Sequence, residues 1–181
     1  MKTSLAVCAL LACILGSAVG RKLHIGSCAL TVHIHELRHH FQQIRHNMVT
    51  RDNIKGVRLL KGETMKSLQV GDSCCFLWQL LRFYIEKVFS GYTSSQSLHQ
   101  TTTSVLANSF LSMIRDLRAC QAEMLCQCSQ DANLKFDYIQ LTFDEMDVAA
   151  ASVKAIGELD SLLEWLESFR QKHHLDYDYS K

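Results

Sequence analysis

Apolar residues recur at helical spacing along most of the chain. Leu30, Ile34, Leu37, Phe41, Ile44 and Met48 follow one another by three or four positions, which places them on one face of a single helix. Arg51 to Gly71 contains Gly56, Gly62 and Gly71 and reads as a connection with room for a short helix. Asp72 or Ser73 is placed to cap the next helix, whose apolar face is Leu77, Leu80, Leu81, Tyr84 and Val88 and whose stop is Gly91. Thr93 to Thr103 is polar and reads as a loop, after which a long helix carries Leu106, Phe110, Met113, Leu117 and Cys120. Ser129 or Asp131 opens a shorter helix through Leu134, Tyr138 and Leu141. Asp147 caps a last helix lined by Ala151, Ala155, Leu159, Leu162, Leu163, Leu166 and Phe169. Gly157 falls inside that helix at a cost of about 1 kcal/mol against alanine, which points to close helix packing. Trp78 and Trp165 read as core or half-buried anchors. No segment alternates as a half-buried strand does, and no proline interrupts the helices. The pattern predicts an all-α bundle with some crossed packing.

The first residues read as an export signal. Lys2 precedes an apolar run from Leu5 to Leu15, and Ser17-Ala18-Val19-Gly20 supplies the small residues of a cleavage site. The expected boundaries are a signal peptide over 1–20 and one domain over 21–181, with Cys8 and Cys13 leaving with the signal. No later stretch approaches the roughly 18 apolar residues of a spanning helix, so the expectation is a secreted protein without membrane insertion. Residues 21–181 carry 18 basic and 18 acidic side chains, a balance that argues against nucleic acid as a partner. The charge is unevenly spread: residues 21–130 hold 13 basic and 7 acidic groups, and 131–181 hold 5 and 11. Two mutually attracting solvated faces are the plain reading of that split.

Six cysteines remain in the secreted portion: Cys28, Cys74, Cys75, Cys120, Cys126 and Cys128. Neighbouring side chains diverge by about 100° on a helix, so Cys74 and Cys75 are set to reach different distant partners. An oxidising destination favours disulfides, while Cys-Cys and Cys-x-Cys match no structural zinc spacing. Spacing alone leaves the pairing open.

His35-Glu36-Leu37-Arg38-His39 matches H-E-x-x-H, in which two histidines bind zinc and the glutamate serves as base. A secreted zinc hydrolase is therefore the alternative function. Against it, Ile34 and Leu37 belong to the inward face, which turns His35 and His39 to solvent. Gln42 and Arg45 stand where the extended motif wants glycine and histidine. With His33, His40 and His46, these histidines read as polar residues of an exposed helix face. No nucleophile–base set or phosphate loop accompanies them, and no cofactor is expected.

The chain resembles the interleukin-10 family of helical cytokines, in its interleukin-19/20/24 branch. The matching blocks are Gly26-Ser27-Cys28, Cys74-Cys75-Phe76-Leu77, Leu80-Leu81-Arg82-Phe83-Tyr84, Leu106-Ala107-Asn108-Ser109-Phe110-Leu111, Asp116-Leu117-Arg118-Ala119-Cys120, Cys126-Gln127-Cys128 and Lys154-Ala155-Ile156-Gly157-Glu158-Leu159-Asp160. The resemblance implies a helical cytokine bundle of about six to seven helices with bridges Cys28–Cys120, Cys74–Cys126 and Cys75–Cys128. It also implies a monomer, and a signalling function with no catalysis. Such cytokines bridge two class II cytokine receptor chains, the interleukin-20 receptor alpha and beta chains or relatives, and activate Janus kinases and STAT factors. Carried over, one receptor would meet Arg51, Asp52, Lys55 and Arg58 with Glu164 and Glu167. The other would meet Arg38, Arg45, Arg115 and Arg118.

Overall fold

The computed structural model describes residues 21–123 and 125–178; the expected signal peptide lies outside them. The chain opens on a hairpin, β1 (Arg21–Ile25) and β2 (Cys28–Val32), paired antiparallel with Ile25 opposite Cys28. Gly26 makes the turn at φ 60°, a conformation that glycine adopts without strain. A Cβ at Gly26 would also press against the Val70 carbonyl oxygen at 3.0 Å. The sequence pattern had offered no strand here. Cys28, Leu30 and Val32 alternate as buried residues, but only five residues carry the pattern, and Leu30 also falls in step with the helix that follows.

That helix, α1, spans Ile34–Arg51 and buries Ile34, Leu37, Phe41, Ile44 and Met48. It begins four residues later than the apolar spacing suggested, because Leu30 reaches the core from β2. A short α2 (Gly62–Lys66) interrupts the following connection. Next come α3 (Ser73–Phe83), a π-helical turn over Tyr84–Val88 and a final turn, Phe89–Gly91. A Cβ on Gly91 would lie 2.7 Å from Ser152 Oγ and Val148 Cγ1, so the stop at Gly91 is also a close approach between helices.

The long helix α4 covers Ser97–Ala122 and so absorbs most of the segment expected as a loop. Two more helices, α5 (Gln130–Asp144) and α6 (Val148–Gly157), lead to α7 (Leu159–Asp178). One last helix was expected where α6 and α7 stand, with Gly157 in its interior. The break falls at Glu158, whose N–H still bonds to the Lys154 and Ala155 carbonyls while its side chain turns to another segment. A Cβ on Gly157 would touch Met48 at an ordinary 3.7 Å, so packing does not require glycine there.

α1 lies at the centre, against α4, α6 and α7, with β2 on α4 and β1 on α7. Aromatic rings join the layers edge to face. Phe83 meets Phe143 at 5.0 Å and Phe136 at 6.3 Å across to α5, and Phe76 meets Trp165 at 6.0 Å across to α7. The Tyr84 hydroxyl donates to the Ala155 carbonyl at 2.7 Å, and burial pushes its pKa well above the usual value. The chain is thus an all-α bundle of the expected class with a two-stranded hairpin added, and three disulfides staple it.

Two local expectations need correction. Asp72 does not cap α3. It is buried, and its carboxylate accepts from Ser129 N–H at 2.7 Å and Ser129 Oγ at 2.8 Å. Ser129 in turn caps α5 by accepting from Ala132 N–H. Ser129→Ala is therefore expected to cost about 0.5–2 kcal/mol, the range for losing an N-cap, in a denaturant melt. On α5 the buried face is Ala132, Phe136, Ile139 and Phe143, while Leu134, Tyr138 and Leu141 are 60%, 55% and 64% exposed. The helix carries apolar residues on two opposite faces, and periodicity cannot say which one the core takes.

Candidate functional site

The disulfides set the frame. Cys28 is joined to Cys120, Cys74 to Cys126 and Cys75 to Cys128, with Cα–Cα distances of 5.8, 5.4 and 5.4 Å. They tie the hairpin and the start of α3 to the end of α4 and the segment behind it. Thr31 N–H adds a 2.8 Å bond to Asp116 on α4. The hairpin is thereby tied to α4, and with α1 packed on α4 the three form one wall.

Between β2, α1 and α4 this wall holds a groove of about 340 Å³, lined by Val32, His33, Glu36, Val105 and Met113 among others. The sequence pattern could not show it, because one edge of its rim, Thr31 and Val32, belongs to the unforeseen strand β2. Arg115 and Arg118 project from α4, exposed and without an ion-pair partner among the described residues. His35, Glu36 and His39 are likewise exposed on α1. Among the described residues, the one group of three or more His, Cys, Asp or Glu side chains close enough to share an ion is Cys28, Cys74 and Cys126. Those sulfurs are spent in disulfides, and among the described residues no third ligand stands beside the H-E-x-x-H motif.

A second surface forms where the connection after α1 lies against α6 and α7. Its organiser is Lys154, 3% exposed on a helix whose other polar side chain is Ser152. Lys154 Nζ lies 3.0 Å from Asp52 Oδ2, 3.1 Å from the Ile54 carbonyl and 3.3 Å from Glu158 Oε1. Glu158 Oε2 accepts from Leu60 N–H at 2.8 Å. A buried cation must be paired and hydrogen-bonded, and here Asp52 and Ile54 come from the start of the 52–60 connection, while Glu158 holds its end through Leu60. Burial raises the Glu158 pKa, opposed by the Leu60 hydrogen bond and the Lys154 charge. Arg58 completes the clamp, donating to the Leu60 carbonyl at 3.1 Å and to Ser161 Oγ at 2.8 Å. Lys154 was passed over in the sequence, although a cation within Val153-Lys154-Ala155-Ile156 is a signal that acidic partners must exist.

The carried-over contact residues thus divide in two. Asp52 and Arg58 are engaged inside the molecule. Arg38 binds both Glu167 carboxylate oxygens, at 3.2 and 2.8 Å, and Arg45 binds Asp160 at 3.1 Å. Arg38 and Glu167, assigned to opposite receptors by resemblance, are in fact partners across α1 and α7. Arg51 and Glu164 remain exposed with no ion-pair partner among the described residues, while Lys55 only donates to the Asp52 carbonyl at 3.0 Å.

His99 lies buried under the start of α4, with Nδ1 3.1 Å from the Tyr92 hydroxyl. Burial, helped by the Arg51 charge, lowers its pKa below the ordinary 6.5. With the folded value below the unfolded one, its contribution to stability is complete above 6.5. That contribution is lost as pH falls through the folded value. His99→Gln is expected to flatten the loss of stability on acidification below pH 6.5, read from urea melts across that range.

No protein-family model matches the chain. Among curated proteins it is 38% identical to mouse interleukin-20 over 148 residues, covering 81% of this chain and 84% of that protein. Among solved structures it superimposes on an edited human interleukin-24 with a TM-score of 0.72 at 33% identity, covering 81% of this chain and 97% of that one. Human interleukin-19 gives a TM-score of 0.70 at 31% identity, covering 77% and 90%. These relatives are all interleukins and none is an enzyme, so the zinc-hydrolase alternative is set aside. With identity and fold agreeing over four fifths of its length, the chain belongs to the interleukin-10 family of cytokines, in the branch of interleukins 19, 20 and 24.

Proposed function

We propose that the protein is a secreted, monomeric cytokine that bridges two class II cytokine receptor chains of the interleukin-20 receptor alpha and beta type. Bringing the two chains together activates Janus kinases and STAT factors in immune or epithelial cells. Family membership carries this reading, and two separated polar surfaces on one rigid bundle support it. One surface is the clamped 52–60 connection with α7, presenting Arg51, Lys55 and Glu164. The other is the wall of β2, α1 and α4, with its groove and with Arg115 and Arg118. Asp52, Arg58, Arg38, Arg45 and Glu167 act in this reading by shaping the surfaces rather than by touching a receptor.

Purified protein is expected to drive STAT phosphorylation in cells carrying both receptor chains and not in cells carrying one. Glu164→Arg and Arg118→Glu are each expected to weaken binding to a different chain by tenfold or more, about 1.4 kcal/mol. Phosphorylation in cells lacking both chains, or both reversals acting on the same chain, would count against the proposal.

A further inference from the structure

The two histidines and the glutamate of the H-E-x-x-H motif on α1 take no part in the core. Its geometry is nonetheless specific. Ile34 and Leu37 are anchored in the core, which fixes His35 and His39 on the solvent side of a regular helix. Side chains four apart on a helix stand one above the other, with Cβ atoms about 5–6 Å apart. Two imidazoles so placed can turn a ring nitrogen each toward one ion between them, and imidazole suits zinc, copper and nickel. Among the described residues neither His35 nor His39 has a hydrogen-bond or ion-pair partner. The His39 ring only meets His40 edge-on at 5.8 Å. Coordination would therefore break no polar contact. Glu36 stands beside the pair, exposed, its carboxylate 3.9 Å from His33 Nδ1.

The start of the helix gives such a site a structural consequence. His33, at the N-cap position of α1, makes no side-chain cap bond, so the first turn lacks the usual anchor. An ion held by His35 in the first turn and His39 in the second would lock the two turns together. Ligand that binds only the folded form stabilises it by mass action.

We propose that His35 and His39 form a two-histidine zinc site on the outer face of α1. The ion's remaining positions stay open to water or to donors of a docking molecule. The site is a surface chelate and not a hydrolytic centre: both histidines are exposed, and among the described residues no third ligand joins them. It does not depend on the receptor reading.

Isothermal titration of the purified protein with zinc chloride tests it, using the single variants His35→Gln, His39→Gln, His40→Gln and His46→Gln. The expected result is one saturable site at micromolar zinc, weakened at least tenfold in His35→Gln and in His39→Gln and unchanged in the other two. Zinc is also expected to raise the melting temperature of the wild type and not of His35→Gln. A paramagnetic probe ion such as copper should broaden the NMR signals of His35 and His39 before those of His40 and His46. The absence of saturable binding, binding that survives both site variants, or loss on His40→Gln alone would overturn the assignment. Each of those outcomes leaves receptor binding untouched, so the two proposals fail separately.

Discussion

Lys154→Met is expected to destabilise the protein by about 3–5 kcal/mol, the range for removing one partner from a buried ion pair. The side chain is of similar volume, so the loss is electrostatic. Asp52 and Glu158 would keep half-buried carboxylates with no cation between them, and the Ile54 carbonyl would lose its donor. Asp52→Asn should cost less, because Glu158 still pairs with the lysine and an amide oxygen can still accept from it. Guanidinium melts of the two variants measure the difference. Because these groups hold the 52–60 connection on α6 and α7, Lys154→Met should also raise amide exchange at Leu60, whose N–H donates to Glu158. An unchanged midpoint would mean that the cluster is open to water.

Removing the Cys28–Cys120 bridge as a double alanine variant is expected to cost about 4 kcal/mol in the chain-entropy model. The two residues are 92 positions apart, and even with Cys74–Cys126 intact the bridge still closes a loop of about 50 residues. Removing Cys75–Cys128 should cost far less, about 1 kcal/mol or below, because Cys74–Cys126 already closes almost the same loop. The neighbouring bridges are thus partly redundant, whereas the hairpin depends on its single bridge and on the Thr31–Asp116 bond. Thermal melts of the two double variants, under non-reducing conditions, should separate widely. Equal losses would show that the unfolded chain is not the seat of the effect.

Much of the architecture was legible in the sequence where the apolar period ran long. The face of α1 from Ile34 to Met48 and the face of α4 from Leu106 to Cys120 are buried as read. The reading failed where the period was short or doubled. Leu30 satisfies a strand and a helix equally, and α5 offers Leu134-Tyr138-Leu141 and Phe136-Ile139-Phe143 on opposite faces. Asp72 is a sound capping residue by type, but its carboxylate serves Ser129, 57 positions away, a contact no local rule foresees. The candidate site was legible as segments rather than as side chains. Arg38 and Glu167 looked like free charges on separate elements until the fold set them 2.8 Å apart. Long-range pairing of that kind is a property of the packed bundle, and it engages five of the ten charges that the resemblance had offered to a receptor.

The same bundle gives the central claim its direct test. Size-exclusion chromatography with light scattering should be run on the protein mixed with the interleukin-20 receptor alpha and beta ectodomains, singly and together. The expected result is one particle containing one copy of each of the three chains, with the second ectodomain adding to the first. Displacement of one ectodomain by the other, or no complex with either, would contradict a cytokine that works through two separate faces.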